Sequence, residues 1–226
     1  MKSCWIKPGV IEHLIFPQYP YFCGIAACGC VANTLLDIHL TQIDLHAAYG
    51  IGNKCKMKIP LAYDFSDGNF DQFEPRGMGI SNWDIIRLFN AILLDKGSTP
   101  YSALLTGKDL VSEIENGRYG SLEKWLQGQG NHAVIHLEDH YVTYAGAIST
   151  GESDFIVCAD SSKFKGPLNS LNLNDLIALA ASDGTYNRYG FILLSDQEIP
   201  LKQLFKHVTA DMRPKESEDC QRFDRI

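Results

Sequence analysis

The chain has 226 residues, 45% hydrophobic and 21% charged, which excludes disordered, collagenous and low-complexity classes and is ample for a hydrophobic core. Lys and Arg number 20 against 27 Asp and Glu, a net charge of -7 that argues against long-range attraction to nucleic acid or to an anionic membrane. Seven cysteines and an amino terminus without an apolar run before a small-residue cleavage site predict free thiols in a reducing, cytoplasmic setting, with non-classical export as an effector the other setting considered.

The clearest helical period runs over residues 24–37, where Ile25, Ala26, Cys28, Val31, Ala32, Leu35 and Leu36 cover most of a cylinder, the mark of a buried helix. This apolar run is short of the roughly 20 residues a membrane span needs, so no membrane insertion is expected. Residues 51–79 mix Gly, Pro, Asn and Asp with aromatics and read as loop. Ser81 is then a fitting N-cap for an amphipathic helix carrying Trp83, Ile85, Ile86, Leu88, Phe89, Ile92 and Leu93. A further helical stretch over residues 107–130 is expected to break at Gly117 and Gly120. These segments predict a helical subdomain filling the first half.

Past Gly130 the pattern shortens to β-type runs at 132–137, 141–148, 155–159 and 189–194, expected as neighbouring strands of one antiparallel sheet, with a helix at 174–181 before the last. Helices first and strands afterwards favour an α+β fold, a helical half followed by an antiparallel sheet. Residues 1–208 read as one domain. Residues 209–226 hold nine charges among 18 residues and read as a charged C-terminal tail.

Cys23 falls at the entry of the buried helix, where unsatisfied helix N–H groups favour a thiolate and hence a nucleophile. His140 opens one predicted strand and Asp160 ends the next. Adjacent antiparallel strands bring two such side chains together, and a carboxylate on one ring nitrogen would turn the other toward Cys23, the logic of a nucleophile–base–acid triad.

With Gln18 upstream, the order Gln, Cys, His, Asp resembles the papain-like cysteine peptidases and acyltransferases. Two branches are the most similar. Phytochelatin synthase catalytic domains carry a Gln ahead of a Tyr-Cys-Gly-Leu-Ala run, a strand-opening His, and an Asp in a run resembling Asp160-Ser161-Ser162-Lys163-Phe164-Lys165. They close with an Arg-Gly-Phe strand similar to Arg188-Tyr189-Gly190-Phe191. Josephin-type deubiquitinases place a Gln five residues before the Cys, as here, and use a His-aromatic-x-Thr strand like His140-Tyr141-Val142-Thr143. Their glycine-led helix start is similar to the stretch from Gly77 to Ser81. Bacteriocin-leader peptidases and bacterial effector peptidases belong to the same superfamily. The resemblance covers residues 16–40, 77–95 and 130–195. Phytochelatin synthases differ in setting their Gln one residue further from the Cys, and Josephin domains in usually completing the triad with Asn.

The resemblance implies a papain-like fold and an acyl-enzyme on Cys23, with His140 as base and then acid, Asp160 orienting it, and Gln18 with the Cys23 N–H forming the oxyanion hole. It implies a peptide, a thiol peptide such as glutathione, or a ubiquitin-like carboxyl terminus as substrate, and no cofactor. A small thiol peptide would need cationic partners, for which Arg188 and Lys163 are the candidates. A ubiquitin-like tail would need a groove, which Tyr19, Tyr21 and Phe22 would flank. A degenerate scaffold serving only as a binding module is the non-catalytic alternative.

Duller readings attach to the remaining residues. Cys28, Cys30 and Cys158 read as buried small hydrophobes. His132 and His136 share one strand face and are expected to be solvated or bonded in the core. No metal is expected, because Cys28-x-Cys30 lies within a helix and no second pair follows at finger spacing. The stretch from Gly50 to Lys54 has neither a phosphate-loop nor a dinucleotide-binding setting and reads as a turn.

Overall fold

The computed structural model describes residues 3–18, 22–49, 80, 82–162, 167–183 and 188–204. Its elements in chain order are β1 (Ser3–Ile6), α1 (Cys23–Leu36), α2 (Gln42–Tyr49), α3 (Asn82–Asp95), β2 (Tyr101–Leu105), α4 (Gly107–Glu115) and α5 (Tyr119–Leu126). Then come β3 (Asn131–His136), β4 (Tyr141–Ser149), β5 (Asp154–Ala159), β6 (Leu168–Asn172), α6 (Leu173–Ser182), β7 (Phe191–Ser195) and α7 (Leu201–Leu204). The protein is α+β, built on a seven-stranded sheet in the order β2-β7-β3-β4-β5-β6, with β1 also pairing β4. Every pairing is antiparallel.

The expected strands β3, β4, β5 and β7 are all present, and β3 pairs with both β4 and β7 as neighbours. The expectation of a purely helical first half is corrected: β1 and β2 come from that half and join the sheet. β1 pairs with residues 146–149 of β4, while β3 pairs with residues 141–143 of the same strand. Since β5 pairs with residues 143–149, β1 must lie along the same edge of β4 as β3, extending its line.

Helices cover both faces of the sheet, so its central strands lack the alternation of a half-solvated strand. On one face α1 and α3 bury Ile25, Val31, Ile85, Phe89 and Ile92 against Leu104, Val134, Tyr141, Ile192 and Leu194. On the other, Leu110 of α4, Leu122 and Leu126 of α5 and Leu176 of α6 pack on Ala103, Ala133, Ile135, Tyr144, Phe191 and Leu193. Residues 191–195 of β7 are accordingly all buried. The helical stretch expected over 107–130 divides into α4 and α5. Gly117 makes the break, with a φ of +71° that L side chains rarely adopt. Gly120, expected as a second break, instead lies inside α5, where nothing stands within 4 Å of a built Cβ. Ser81, the loop at 51–79 and the tail at 209–226 lie outside the described residues.

Candidate active site

α1 begins at Cys23, and its N-cap Phe22 makes no side-chain capping hydrogen bond. The first-turn N–H groups of a helix have no intrahelical partner, and here no Phe22 side chain occupies them. Cys23 is 7% exposed. Gly24 permits the close packing beside it: a Cβ there would stand 2.5 Å from Ile80 Cγ1 and 3.2 Å from Tyr141 Cδ2. Four residues after Cys23, the Ala27 carbonyl accepts a hydrogen bond from Thr143 Oγ1 at 3.2 Å, fixing α1 to β4.

His140 is held by a tight turn between β3 and β4, in which Leu137 N–H donates to the His140 carbonyl at 2.8 Å. Thr143 is registered with Ala159, which puts Asp160 diagonal to His140 across the pair, within reach of long side chains. His140 Nε2 and Asp160 Oδ1 are 2.7 Å apart. Asp160 is 2% exposed and also accepts from the Ser162 N–H at 2.8 Å and from Asn169 Nδ2 at 3.4 Å. With Nε2 committed to Asp160, Nδ1 is the nitrogen left to face Cys23, whose thiol is near enough to help hold the ring's proton. Burial disfavours the imidazolium, but hydrogen bonds and charge attraction from Asp160 and Cys23 outweigh it and push His140 up to about 9.

Gln18 sits next to the same segment: its N–H donates to the Ser161 carbonyl at 2.8 Å. Its Oε1 is buried and makes no hydrogen bond. Arg188, just ahead of β7, reaches Glu138 in the His140 turn at 3.9 Å. Lys163, Tyr21 and Tyr19 lie outside the described residues. Phe22 corrects an expectation: at 1% exposure it packs in the core beside Ile25 and Ile80, and so cannot line a substrate groove.

Two residues given no role in the sequence analysis complete the surroundings. Tyr141, directly after His140, stacks on His136 with centroids 4.4 Å apart and donates from its hydroxyl to Asn82 Oδ1 at 2.8 Å. Burial, with the charges of Cys23 and Asp84 adding, pushes the Tyr141 phenol up, so it stays a neutral donor. Its place after the strand-opening histidine is the signal that could have found it; nothing in spacing points to Asn82.

The other buried thiols behave as small hydrophobes. Cys28 donates to the Ile85 carbonyl at 3.6 Å and Cys30 to that of Val10 at 3.4 Å. Burial pushes Cys30 up to about 12 and raises Cys28 and Cys158 as well, so none is a nucleophile at neutral pH. Among the described residues no group of three or more His, Cys, Asp or Glu is placed to hold a metal ion, and no helix is long and apolar enough to cross a membrane.

The α+β fold and this site define a protein with a thiol at a helix start beside an imidazole that is hydrogen-bonded to a buried carboxylate. Compared with known proteins, the chain matches no family model and no curated protein sequence.

Proposed function

We propose that the protein is a papain-like cysteine peptidase or acyltransferase that cleaves a peptide or isopeptide bond through an acyl-enzyme on Cys23. The observation that carries this reading is the convergence of Cys23, His140 and Asp160 from α1, the β3–β4 turn and the end of β5. His140 takes the thiol proton, Cys23 Sγ attacks the carbonyl carbon, and the oxyanion forms beside the uncapped first turn of α1. Gln18 supplies a second donor through its side-chain amide. As the tetrahedral intermediate collapses, His140 returns the proton to the leaving amine and the acyl group stays on sulfur. Asp160 holds the ring and stabilises its charged form throughout. Water or a second amine then attacks the thioester, with His140 again as base.

A γ-glutamyl tripeptide thiol such as glutathione is the first substrate class, with glycine the leaving amine and hydrolysis the main outcome. Arg188, beside the His140 turn, is the cation that would meet a substrate carboxylate. A ubiquitin-like or other protein substrate is the second reading, favoured by exposed aromatics at two approaches. Phe16, 45% exposed, lies two residues before Gln18, and Trp83, 47% exposed, adjoins Asn82. The test is incubation with glutathione and, separately, with a fluorogenic ubiquitin substrate, each with intact and Cys23→Ala protein. Cys23-dependent glycine release supports the first class and Cys23-dependent fluorescence the second. If neither substrate is turned over in a Cys23-dependent way, glutathione and ubiquitin both fall as substrates, which leaves another protein substrate or the binding-module alternative.

A further inference from the structure

The far end of α1 holds a second polar site. Some 20 Å from Cys23 at 1.5 Å per residue, the last turn of α1 borders a cavity of about 650 Å³ whose lining includes Trp5, Lys7, His13, Asp37, His132 and Asp196. That volume is in the range of small-molecule sites, and none of these residues belongs to the site at Cys23.

The residues lining the cavity include buried polar groups with unused capacity. Lys7 is 4% exposed; its ammonium donates to the Leu126 and Gly128 carbonyls at 3.1 and 2.9 Å and stands 5.7 Å from the centroid of the Trp5 ring, which leaves one of its three protons without an oxygen partner. His132 is 2% exposed and its Nδ1 has no hydrogen-bond partner. The His13 side chain, 9% exposed, also leaves Nδ1 unpartnered, while its Nε2 stands 3.4 Å from Asp37 Oδ1. Burial holds Lys7 down to about 8, and burial with the nearby Lys7 charge holds His132 well below the usual histidine range. His132 is therefore neutral and has an N–H to give in the right tautomer. Native proteins rarely leave such atoms unpaired.

Two other lining residues have the opposite character, for Asp37 and Asp196 are exposed carboxylates. Buried donors and a cation together with exposed acids match a molecule with one anionic and one cationic end. A phosphate or nucleotide would meet repulsion from both aspartates. We propose that this cavity binds a short peptide in its zwitterionic form, the carboxylate on Lys7 and His132 and the ammonium toward Asp37 and Asp196. The site stands independently of the chemistry proposed for Cys23.

The test uses the full chain, ¹⁵N-labelled, titrated with glycylglycine, triglycine, acetate and inorganic phosphate while the His132 imidazole resonances are followed. At least one peptide should shift His132 saturably and bind more tightly than acetate or phosphate. Lys7→Met should weaken that peptide about tenfold. Because a buried lysine variant can fail to fold, Asp196→Asn, at an exposed position, is the second arm: it should weaken the peptide about threefold and leave acetate unchanged. The proposal is overturned if neither peptide moves His132 at about 10 mM, or if phosphate or acetate binds as tightly as the peptides. Peptide binding unaffected by Asp196→Asn overturns it too.

Discussion

Cys23 and His140 are proposed to act as one unit, so their losses should not add. Cys23→Ala should abolish turnover while leaving the melting temperature close to that of the intact chain, since a helix-start sulfur leaves little cavity. His140→Ala should match it, and the double variant should be no worse than either single one; a further large loss would mean the two do not share a step. Asp160→Asn keeps the shape and most hydrogen bonds but removes the charge that favours imidazolium, so kcat should fall without vanishing. With His140 holding its proton up to about 9, the proton owed to the leaving amine is lost to solvent at higher pH, and kcat/KM should decline above about pH 9. Asp160→Asn should move that alkaline limb downward, and an unmoved limb would show that Asp160 does not act through His140. Of the four proposed catalytic residues, Cys23, His140 and Asp160 were legible in the sequence because each sits at an element boundary, whereas Gln18, in the loop between β1 and α1, was reached only through the resemblance. The Tyr141–Asn82 bond was not legible, since it spans 59 positions and hydrophobic periodicity carries no trace of such a pairing.

At the scale of elements, the glycine after the nucleophile is a packing requirement. Gly24→Ala would put a methyl 2.5 Å from Ile80 Cγ1, and the overpacking should cost about 1–3 kcal/mol in denaturant unfolding. Activity should fall further than stability, because α1 must tilt at the residue next to Cys23; Ile80→Val in the same chain should restore part of both. The start of α4 offers a control remote from the site. Thr106 and Asp109 form a capping box, and Thr106→Ala should cost about 0.5–2 kcal/mol with kcat unchanged. Helices α1, α3 and α6 were legible because apolar side chains recur at helical spacing. β1, β2 and β6 were not, for separate reasons. β1 has four residues, one of them, Ile6, an exposed apolar side chain. β2 is buried at four of five positions, so it shows no alternation, and β6 is the polar run Leu168–Asn172, with no buried position. Gly120 misled because a glycine with open space around it is tolerated within a helix, whereas Gly117 is needed for its backbone angle.

For the whole molecule, chain order concealed the architecture: the sheet gathers β1 and β2 from a half whose visible signals are helical, and register across such distances is set by packing that local pattern does not contain. That assembly places two basic groups of opposite response to pH in one cooperative structure. His140 is held up to about 9 by Asp160 and Cys23 despite burial, above the roughly 6.5 of an unfolded histidine. The native state therefore binds more protons than the unfolded state between these values, and its contribution, complete below about pH 6.5, is lost as pH rises through 9. Lys7 runs the other way. Burial holds it near 8 against 10.5 for the unfolded chain, so its cost is complete below about pH 8 and disappears as pH rises toward 10.5. Unfolding free energies measured in parallel for intact, His140→Gln and Lys7→Met protein separate the two. The advantage of the intact chain over His140→Gln should shrink from pH 6.5 to 9, while its standing relative to Lys7→Met should improve from pH 8 to 10.5. A flat first difference would mean His140 is not held by Asp160 and Cys23. A flat second one would mean Lys7 keeps its charge at ordinary cost, through water or an anion already seated in the cavity beside it.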